Sequence, residues 1–272
     1  MSQADIMTTP VALKPALGPQ EALLLGRIQR SGRAVIRVRR DRELFRDFAP
    51  NALRLVLKGL ADGDWIHRIE RGVYAVGQAR GLRTQSQLAL VADWLEGENY
   101  VVSGFFALAH WNLTIFPATT IDVLLDRRRP NVTYGQTLFR FIYVPADRLP
   151  RYKDVRVAGA RALAQVVAPE RALADVLSGK YATDFATADE AFKRGLRLGV
   201  LQRRRLIQAV NDAPATAARR LGWIAEHEHD TLALALRPFV GNDGYVALDP
   251  TRDATGAKRN VNWRVLENVE PT

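Results

Sequence analysis

The sequence contains no cysteine among its 272 residues, and lysine is scarce, at 6 of the 39 basic positions. Without cysteine the chain has no disulfide, no thiolate metal site and no cysteine nucleophile, which fits a reducing compartment. Arginine therefore carries most of the positive charge. Its planar guanidinium suits bidentate contacts to phosphates and bases, although a GC-rich genome explains the same usage equally well.

The sequence also lacks a long apolar run and a secretion signal. Its longest uncharged stretch, residues 99–121, is interrupted by polar side chains and is expected to form buried core rather than a membrane span. The first 19 residues have no basic region followed by an apolar run, so we expect a flexible tail rather than a signal peptide. These features predict a cytoplasmic protein with no membrane partner.

Positive charge is concentrated at the start of the chain. Residues 1–83 carry 15 Lys and Arg against 8 Asp and Glu, a net charge of +7 out of the total of +10. An excess confined to one segment is typical of a surface that binds nucleic acid. At 272 residues the chain is also long enough for two or three domains.

Residues 20–80 have the element order of a winged helix-turn-helix domain. Apolar residues recur at helical spacing in three places, and two alternating segments flank a Glu-Arg-Gly turn. The predicted elements are, in order, a helix over about residues 20–30, a strand from Arg33 to Arg39, a helix over about 41–48, a helix from Pro50, and two strands over 65–69 and 73–76.

The third helix and the hairpin are the candidate DNA-reading elements. Leu53, Val56, Leu57 and Leu60 recur at the spacing of a buried helix face, so the opposite face is expected to reach base edges in the major groove. The hairpin turn is expected to lie along the phosphate backbone or the minor groove. The eight candidate DNA-binding residues are Arg39, Arg40 and Arg42 before the third helix, Asn51, Arg54 and Lys58 on it, and Arg68 and Arg71 in the hairpin.

The remainder of the chain, residues 81–272, is predicted to be a mixed α/β region with a helical segment toward its end and a sub-boundary near residues 160–168. With the N-terminal winged helix, this predicts an α+β fold for the whole chain. The predicted elements are strands over residues 100–104, 121–125 and 138–143, helices over about 84–95, 105–110, 170–177, 188–198, 201–210 and 214–228, and a closing pair of strands over 245–248 and 261–265.

No catalytic residue, cofactor or metal site is expected. The two histidines of the Glu-His-Glu-His-Asp run at 226–230 fall on different helix faces, and His110 is expected to be a core residue. Asp122 and Asp126 keep one alternative open, a Mg²⁺-dependent enzyme that acts on nucleic acid. A ligand-responsive winged-helix repressor, with the apolar middle of the chain as its sensor, is the other alternative.

Several short motifs follow one another along most of the chain after the leucine-spaced third helix. They are Arg68-x-x-Arg71-Gly72-x-Tyr74, Val102-Ser103-Gly104 with Ala107-Leu108, His110 and Leu113, the Ile121-Asp122-Val123 strand, Pro169-Glu170-Arg171-Ala172-Leu173-x-Asp175, and Arg219-Arg220-Leu221-Gly222-Trp223. In this order they resemble the AbiEi-like antitoxins of bacterial type IV toxin–antitoxin systems.

The resemblance implies a protein with two functions. Its N-terminal winged helix would bind double-stranded DNA at inverted repeats in its own promoter and repress its operon, and the third helix and hairpin match the DNA-reading elements. Its C-terminal region would counteract a nucleotidyltransferase-like toxin encoded beside it, and no stable complex with that toxin is implied. No residue of this region can be matched to an antitoxin role, so the antitoxin function rests on fold-level analogy.

Overall fold

The structure, a computed structural model, describes residues 17–76, 86–181 and 183–269. Most of the predicted tail over residues 1–19 and the connector at 78–83 lie outside the described residues. The chain divides into two compact units, residues 1–96 with 156–163, and residues 97–155 with 164–272. Both units combine helices with sheets, so the predicted α+β fold class is confirmed.

The first unit contains four helices and a three-stranded sheet within its described residues, in the order predicted from the sequence. The sheet is antiparallel, with strand order β1-β3-β2. The elements are α1 (Pro19–Ser31), β1 (Val35–Arg37), α2 (Arg42–Phe45), α3 (Pro50–Asp62), β2 (Ile66–Glu70), β3 (Val73–Val76) and α4 (Gln87–Trp94).

Apolar side chains from the three N-terminal helices and the sheet form one core. Leu24 and Ile28 of α1, Leu57 and Leu60 of α3, and Ile66 of β2 are buried together. Burial of this apolar surface is the main force that holds the short elements in place. The core therefore fixes which face of α3 points away from the unit.

The alternation of apolar and basic residues over 33–39 predicts a half-buried strand whose other face is basic, but Arg33 and Arg37 of that face are not exposed. Arg33 pairs with Asp41 and Glu43, and the Arg37 guanidinium pairs with Glu96 at 2.6 Å and donates to the carbonyl of Trp94 at 3.2 Å. Burial lowers the pKa of Arg37. Arg33 lies just before β1 and Arg37 ends it, and both bind later parts of the unit, because their partners lie at the start of α2 and around the end of α4.

A buried carboxylate joins the segment 156–163 to the first unit. Asp93 of α4 accepts hydrogen bonds from the backbone N–H groups of Ala34 at 2.8 Å, Arg161 at 2.8 Å and Ala162 at 3.1 Å. Backbone donors in a buried position need such partners, because an unmade hydrogen bond costs free energy there. The first unit thus includes α4 and a segment from much later in the sequence, in addition to the segment predicted as a winged helix.

The second unit is built on a six-stranded mixed sheet with strand order β6-β7-β5-β4-β9-β8. Strands β6, β8 and β9 are short and were not predicted from the sequence. The elements are β4 (Tyr100–Ser103), α5 (Gly104–His110), β5 (Thr120–Leu125), β6 (Val132–Tyr134), β7 (Thr137–Tyr143), a 3₁₀ turn (Ala146–Arg148), β8 (Tyr152–Val155) and β9 (Ala164–Val167).

After β9, the described part of the second unit contains five helices and a small sheet. The small sheet has the order β10-β12-β11, with β10 parallel and β11 antiparallel to β12. The elements are α6 (Pro169–Leu177), α7 (Phe185–Arg197), α8 (Arg203–Asn211), α9 (Ala215–Glu228), α10 (Asp230–Leu236), a 3₁₀ turn (Arg237–Phe239), β10 (Val246–Ala247), β11 (Lys258–Asn260) and β12 (Val265–Glu267).

The predicted strand over residues 261–265 is wrong, because residues 261–264 form a turn. The side-chain oxygen of Asn260 accepts a hydrogen bond from the backbone N–H of Trp263 at 3.1 Å, and Arg264 has a φ of +51°. A side-chain hydrogen bond to a backbone N–H three residues on favours a turn over continued strand pairing. Strand β12 begins only at Val265.

Candidate functional site

The outer face of α3 carries the three helix residues predicted to read DNA. Asn51, Arg54 and Lys58 are exposed, whereas Val56, Leu57 and Leu60 on the opposite face are buried. Within the described part of the chain, none of the three exposed side chains makes a hydrogen bond or an ion pair. Their donors therefore remain available to base edges or phosphates, which is what a recognition helix requires.

The hairpin between β2 and β3 places two further candidates next to a tight turn. Arg68 and Arg71 are exposed, and Gly72 has a φ of +75°, a conformation that a side chain would strain. The Arg68 side chain makes a 3.4 Å contact to the Glu70 carbonyl, and a register shift between Arg68 and Glu70 bends the strand. The turn thus presents positive charge at the edge of the sheet.

The arginine-rich segment before α2 adjoins the hairpin turn. The backbone N–H of Val38 donates to the carbonyl of Gly72 at 2.9 Å, so Arg39 and Arg40 follow directly from the residue in contact with the turn. Arg40 itself donates to the carbonyl of Glu96, and Arg42 donates to the carbonyl of Arg39 at 3.2 Å. The Arg39 side chain has no such partner among the described residues.

Arg46 is an exposed cation of the same segment that is not among the eight DNA-binding candidates predicted from the sequence. The Arg46 side chain is 77% exposed and lies 3.9 Å from Asp47, at the limit of an ion pair. Asp47 is bound more closely by Arg27, which holds the pKa of its carboxyl below the usual range. In the sequence, Arg46 belongs to the same dense positive charge as Arg33 and Arg37. The structure separates them, because the Arg46 side chain is exposed whereas Arg33 and Arg37 are paired with carboxylates.

The second unit contains a group of polar side chains, here called the polar cluster, in which Ser103, Asp122, Asp175 and Tyr181 are buried and Arg140 is partly exposed. The Ser103 hydroxyl donates to Asp175 at 2.6 Å, and Asp175 also binds Arg171 at 2.7 Å. Burial raises the pKa of Asp175 and of Tyr181. Several motifs that carry the resemblance therefore meet at one place in the fold.

Asp122 and Arg140 of the polar cluster form an ion pair on adjacent strands. Asp122 of β5 pairs in register with Ser103 of β4 on one side and with Arg140 of β7 on the other. Burial raises the pKa of the Asp122 carboxyl, and the hydrogen bond from Arg140 opposes that rise. Gly104 lies so close that a Cβ there would meet a carboxylate oxygen of Asp122 at 2.5 Å.

The pair of aspartates considered for Mg²⁺ does not form a metal site. Asp122 lies inside β5 and Asp126 follows the end of the same strand, about 13 Å away at the rise of an extended chain. Asp126 accepts a hydrogen bond from the Asn99 side chain at 2.9 Å. Among the described residues, no group of three or more His, Asp or Glu side chains is arranged to hold a metal ion.

The remaining histidine candidates have structural roles. A ring nitrogen of His227 makes a 2.9 Å hydrogen bond with the Trp223 carbonyl, and Glu226 accepts a hydrogen bond from the Trp263 indole at 2.8 Å. His110 is only partly buried, packs edge-on against Trp111 and has a pKa lowered by burial.

None of the helices in the described part of the chain has the length and hydropathy that a bilayer span requires.

Comparison with known proteins gives a match at the level of fold. No protein-family model matches the chain, and no curated protein matches it. The structure is similar to the crystal structure of the RV2827C protein from Mycobacterium tuberculosis, with a TM-score of 0.63 and 14% sequence identity over 94% of each chain. At this identity the similarity shows a common fold along nearly the whole chain, and function has to be argued from the sites.

Proposed function

We propose that the protein is a DNA-binding transcriptional autorepressor whose first unit acts as a winged helix. The observation that carries the proposal is the outer face of α3, where Asn51, Arg54 and Lys58 are exposed and have no partner among the described residues. The hairpin with Arg68 and Arg71 supports it, because a winged helix uses such a hairpin beside its recognition helix.

In this mechanism α3 lies in the major groove of double-stranded DNA. Asn51, Arg54 and Lys58 contact base edges, and a good bidentate contact contributes about 1–3 kcal/mol of discrimination against a wrong base. Arg68 and Arg71 bind phosphates, together with the segment that contains Arg39, Arg40 and Arg42. These contacts fix the position of the protein on the duplex and carry no sequence information directly.

The second function in the proposal is that of an antitoxin. The order of motifs that resembles the AbiEi-like antitoxins extends from the hairpin into α9, and it supports a role for the second unit in counteracting a nucleotidyltransferase-like toxin in the cytoplasm. The proposal does not include a stable complex with that toxin, and it assigns the protein no catalytic activity or cofactor.

The test of DNA binding is a gel-shift titration with the promoter region of the gene itself, at low salt, against a scrambled duplex of equal length. We expect preferential binding to the promoter, at inverted repeats. With about six phosphate contacts, the logarithm of the binding constant should fall with the logarithm of salt concentration at a slope of about −5. Equal binding to both duplexes, or none at low salt, would contradict the proposal.

The antitoxin function is tested by co-expression. We expect the protein to restore growth of cells that express a nucleotidyltransferase-like toxin encoded in the adjacent reading frame. If an adjacent reading frame of another kind is present, or if the toxin remains fully active beside the protein, the antitoxin function is wrong while DNA binding stands. The two tests therefore separate the two halves of the proposal.

One observation favours a second candidate function, a ligand-responsive repressor. The polar cluster of the second unit opens into a cavity lined by Asp122, Arg140 and Tyr181. Buried ionisable groups with shifted pKa values beside a cavity are typical of binding sites. In this candidate the second unit senses a small molecule that changes the affinity for the promoter.

A further inference from the structure

A cavity of about 470 Å³ lies next to the polar cluster of the second unit. Its volume is in the range of sites that bind small molecules. The wall combines one guanidinium, the buried carboxylate of Asp122, hydroxyl groups and aromatic rings. A second carboxylate in the wall, that of Asp184, is engaged by the backbone N–H and the hydroxyl of Thr187 at 2.8 and 2.9 Å. The lining residues used below are Asp122, Arg140, Thr120, Thr183, Phe105 and Phe116.

The polar cluster costs the fold stability that apolar residues would supply. Asp122 and Asp175 are 2% and 4% exposed. Asp122 lies on a sheet whose neighbouring residues Ile121, Val123 and Val102 are fully buried, and Asp175 lies in helix α6. Taking charged groups out of water is expensive, and well-packed apolar side chains are often at least as stabilising in their place. The presence of the cluster beside a cavity is therefore better explained by binding than by stability.

Arg140 offers the cavity a pair of unused donors. Its Nε atom donates to Asp122, its side chain is 33% exposed, and its two terminal amino groups have no partner among the described residues. A guanidinium held at Nε is fixed in orientation, so its free edge can make two parallel hydrogen bonds to a carboxylate or a phosphate. Thr120 and Thr183 add hydroxyl donors to the same wall.

The aromatic side of the cavity fits a flat ring. Phe116 is 51% exposed, although its ring is large and apolar, and Phe105 is partly buried in the same wall. Exposed aromatic surface at the mouth of a cavity gains free energy when a ligand ring covers it. The charged wall and the aromatic wall together therefore select a molecule that carries both an anionic group and a ring.

We propose that this cavity binds a small organic anion with a flat ring, such as a nucleoside monophosphate or an aromatic carboxylate, with Arg140 on the anionic group. Asp122 positions the guanidinium, and Phe105 and Phe116 contact the ring. The proposal rests on the second candidate function to the extent that it names the class of ligand sensed. Binding is measured without DNA, so its failure is distinct from a failure of promoter recognition.

The experiment is isothermal titration of the full-length protein with the four nucleoside monophosphates, with benzoate and salicylate, and with the uncharged nucleosides and benzamide. The central variant is Asp122→Asn with Arg140→Gln, which removes both charges and leaves no unpaired ion in the interior. Phe116→Ala is the second variant, because an exposed ring can be removed without disturbing the core. Arg148→Gln, an exposed arginine of the same unit outside this cavity, is the matched control.

We expect one of the two anion classes to bind and its uncharged analogues to fail. The double variant should weaken binding about tenfold or more, since hydrogen bonds to charged groups contribute about 1.5–3 kcal/mol. Phe116→Ala should weaken it several-fold, and Arg148→Gln should bind as the wild type does. Absence of binding by both classes at millimolar concentration would overturn the proposal, and so would equal binding by the wild type and a folded Phe116→Ala variant.

Discussion

At the scale of single residues, arginines of the first unit divide into two groups that composition alone does not separate. Arg33 and Arg37 are bound to carboxylates and carbonyls, and they hold β1 against later segments. Arg54 and Arg71 are exposed and make no hydrogen bond among the described residues. The local charge excess therefore overstates the surface that is free to attract DNA, because it counts Arg33 and Arg37.

The two exposed arginines are predicted to affect DNA binding in different ways. Arg54→Ala should cost about 1–3 kcal/mol of promoter affinity and relax discrimination at one base position, because it removes a base contact. Arg71→Ala should weaken promoter and scrambled DNA alike and make the salt slope shallower by about one, because it removes a phosphate contact. Gel-shift titrations at several salt concentrations measure both effects.

Arg37→Ala is the matched comparison for these variants. It removes the ion pair to Glu96 and the hydrogen bond to the carbonyl of Trp94 inside the unit, so it should lower the free energy of unfolding. Arg54→Ala and Arg71→Ala should unfold at the same urea concentration as the wild type. If Arg54→Ala is destabilised as strongly as Arg37→Ala, its loss of binding says nothing about base contacts.

A single carboxylate in the small C-terminal sheet is predicted to make stability depend on pH. Hydrogen bonds from the Trp223 indole at 2.8 Å and the Asn260 amide at 2.9 Å hold the pKa of Glu267 below its usual value of 4.5. A lowered pKa in the folded state contributes stability above the unfolded pKa, and that stability is lost as pH falls through the folded pKa. The wild type should therefore lose this part of its unfolding free energy as pH falls below about 4.5 and through the lowered folded-state pKa of Glu267.

Glu267→Gln isolates this contribution, because glutamine keeps an oxygen acceptor for Trp223 and Asn260 but has no carboxylate to protonate. The variant should be less stable than the wild type at neutral pH and should lose less stability in acid, as measured by urea unfolding at several pH values. Asp147→Asn, at an exposed carboxylate without a hydrogen bond among the described residues, should leave the pH dependence unchanged. Parallel curves for the wild type and Glu267→Gln would show that this carboxylate does not contribute.

At the scale of elements, helix α9 is packed so closely that one of its positions accepts only glycine. A Cβ on Gly222 would lie 2.0 Å from the ring of Trp263, which is fully buried. Gly222→Ala should therefore destabilise the protein by about 1–3 kcal/mol through overpacking. Gly26→Ala in α1 is the control, because no atom lies within 4 Å and alanine should stabilise that helix by about 0.5–1 kcal/mol. Urea unfolding followed by tryptophan fluorescence measures both.

The N-terminal elements could be predicted from the sequence because their signals are local. Helical spacing in α1 and α3, Gly32 with a φ of +64°, and the turn at Gly72 all act within a few residues. Helices α1 and α3 and strands β2 and β3 were found close to their predicted bounds, whereas β1 and α2 are shorter than predicted. Strands β8 and β9 lacked such a signal, since they are four residues long and depend on pairing with each other. Pairing partners distant in sequence are set by tertiary packing.

The residues of the candidate sites could also be predicted only where their signal is local. The exposed faces of α3 and the hairpin followed from apolar spacing, because burial of one face determines the other. The polar cluster did not, because Ser103, Asp122, Arg140 and Asp175 come from four separate elements and their contacts exist only after folding. Order along the chain had pointed to Asp122 and Asp126 as neighbours, whereas the sheet brings Asp122 to Arg140.

At the scale of the whole molecule, the division into two compact units predicts that repression and toxin neutralisation can be separated by mutation. The double variant Arg54→Ala with Arg71→Ala alters only exposed side chains of the first unit, so it should lose repression of a promoter–reporter fusion and still protect cells from the toxin. Replacing two residues of the polar cluster, as in Asp122→Asn with Arg140→Gln, alters only the second unit and should leave promoter binding in a gel shift intact.

The effects of these two double variants distinguish an autorepressor and antitoxin from a ligand-responsive repressor. In an antitoxin each variant loses at most its own function, because the two functions lie in separate units and neutralisation does not require DNA. In a ligand-responsive repressor, Asp122→Asn with Arg140→Gln should instead make promoter affinity the same with and without ligand. A ligand changes promoter affinity only if it binds the two states of the protein with different affinities. Reporter expression with and without toxin, measured for both variants in one strain, decides between the two.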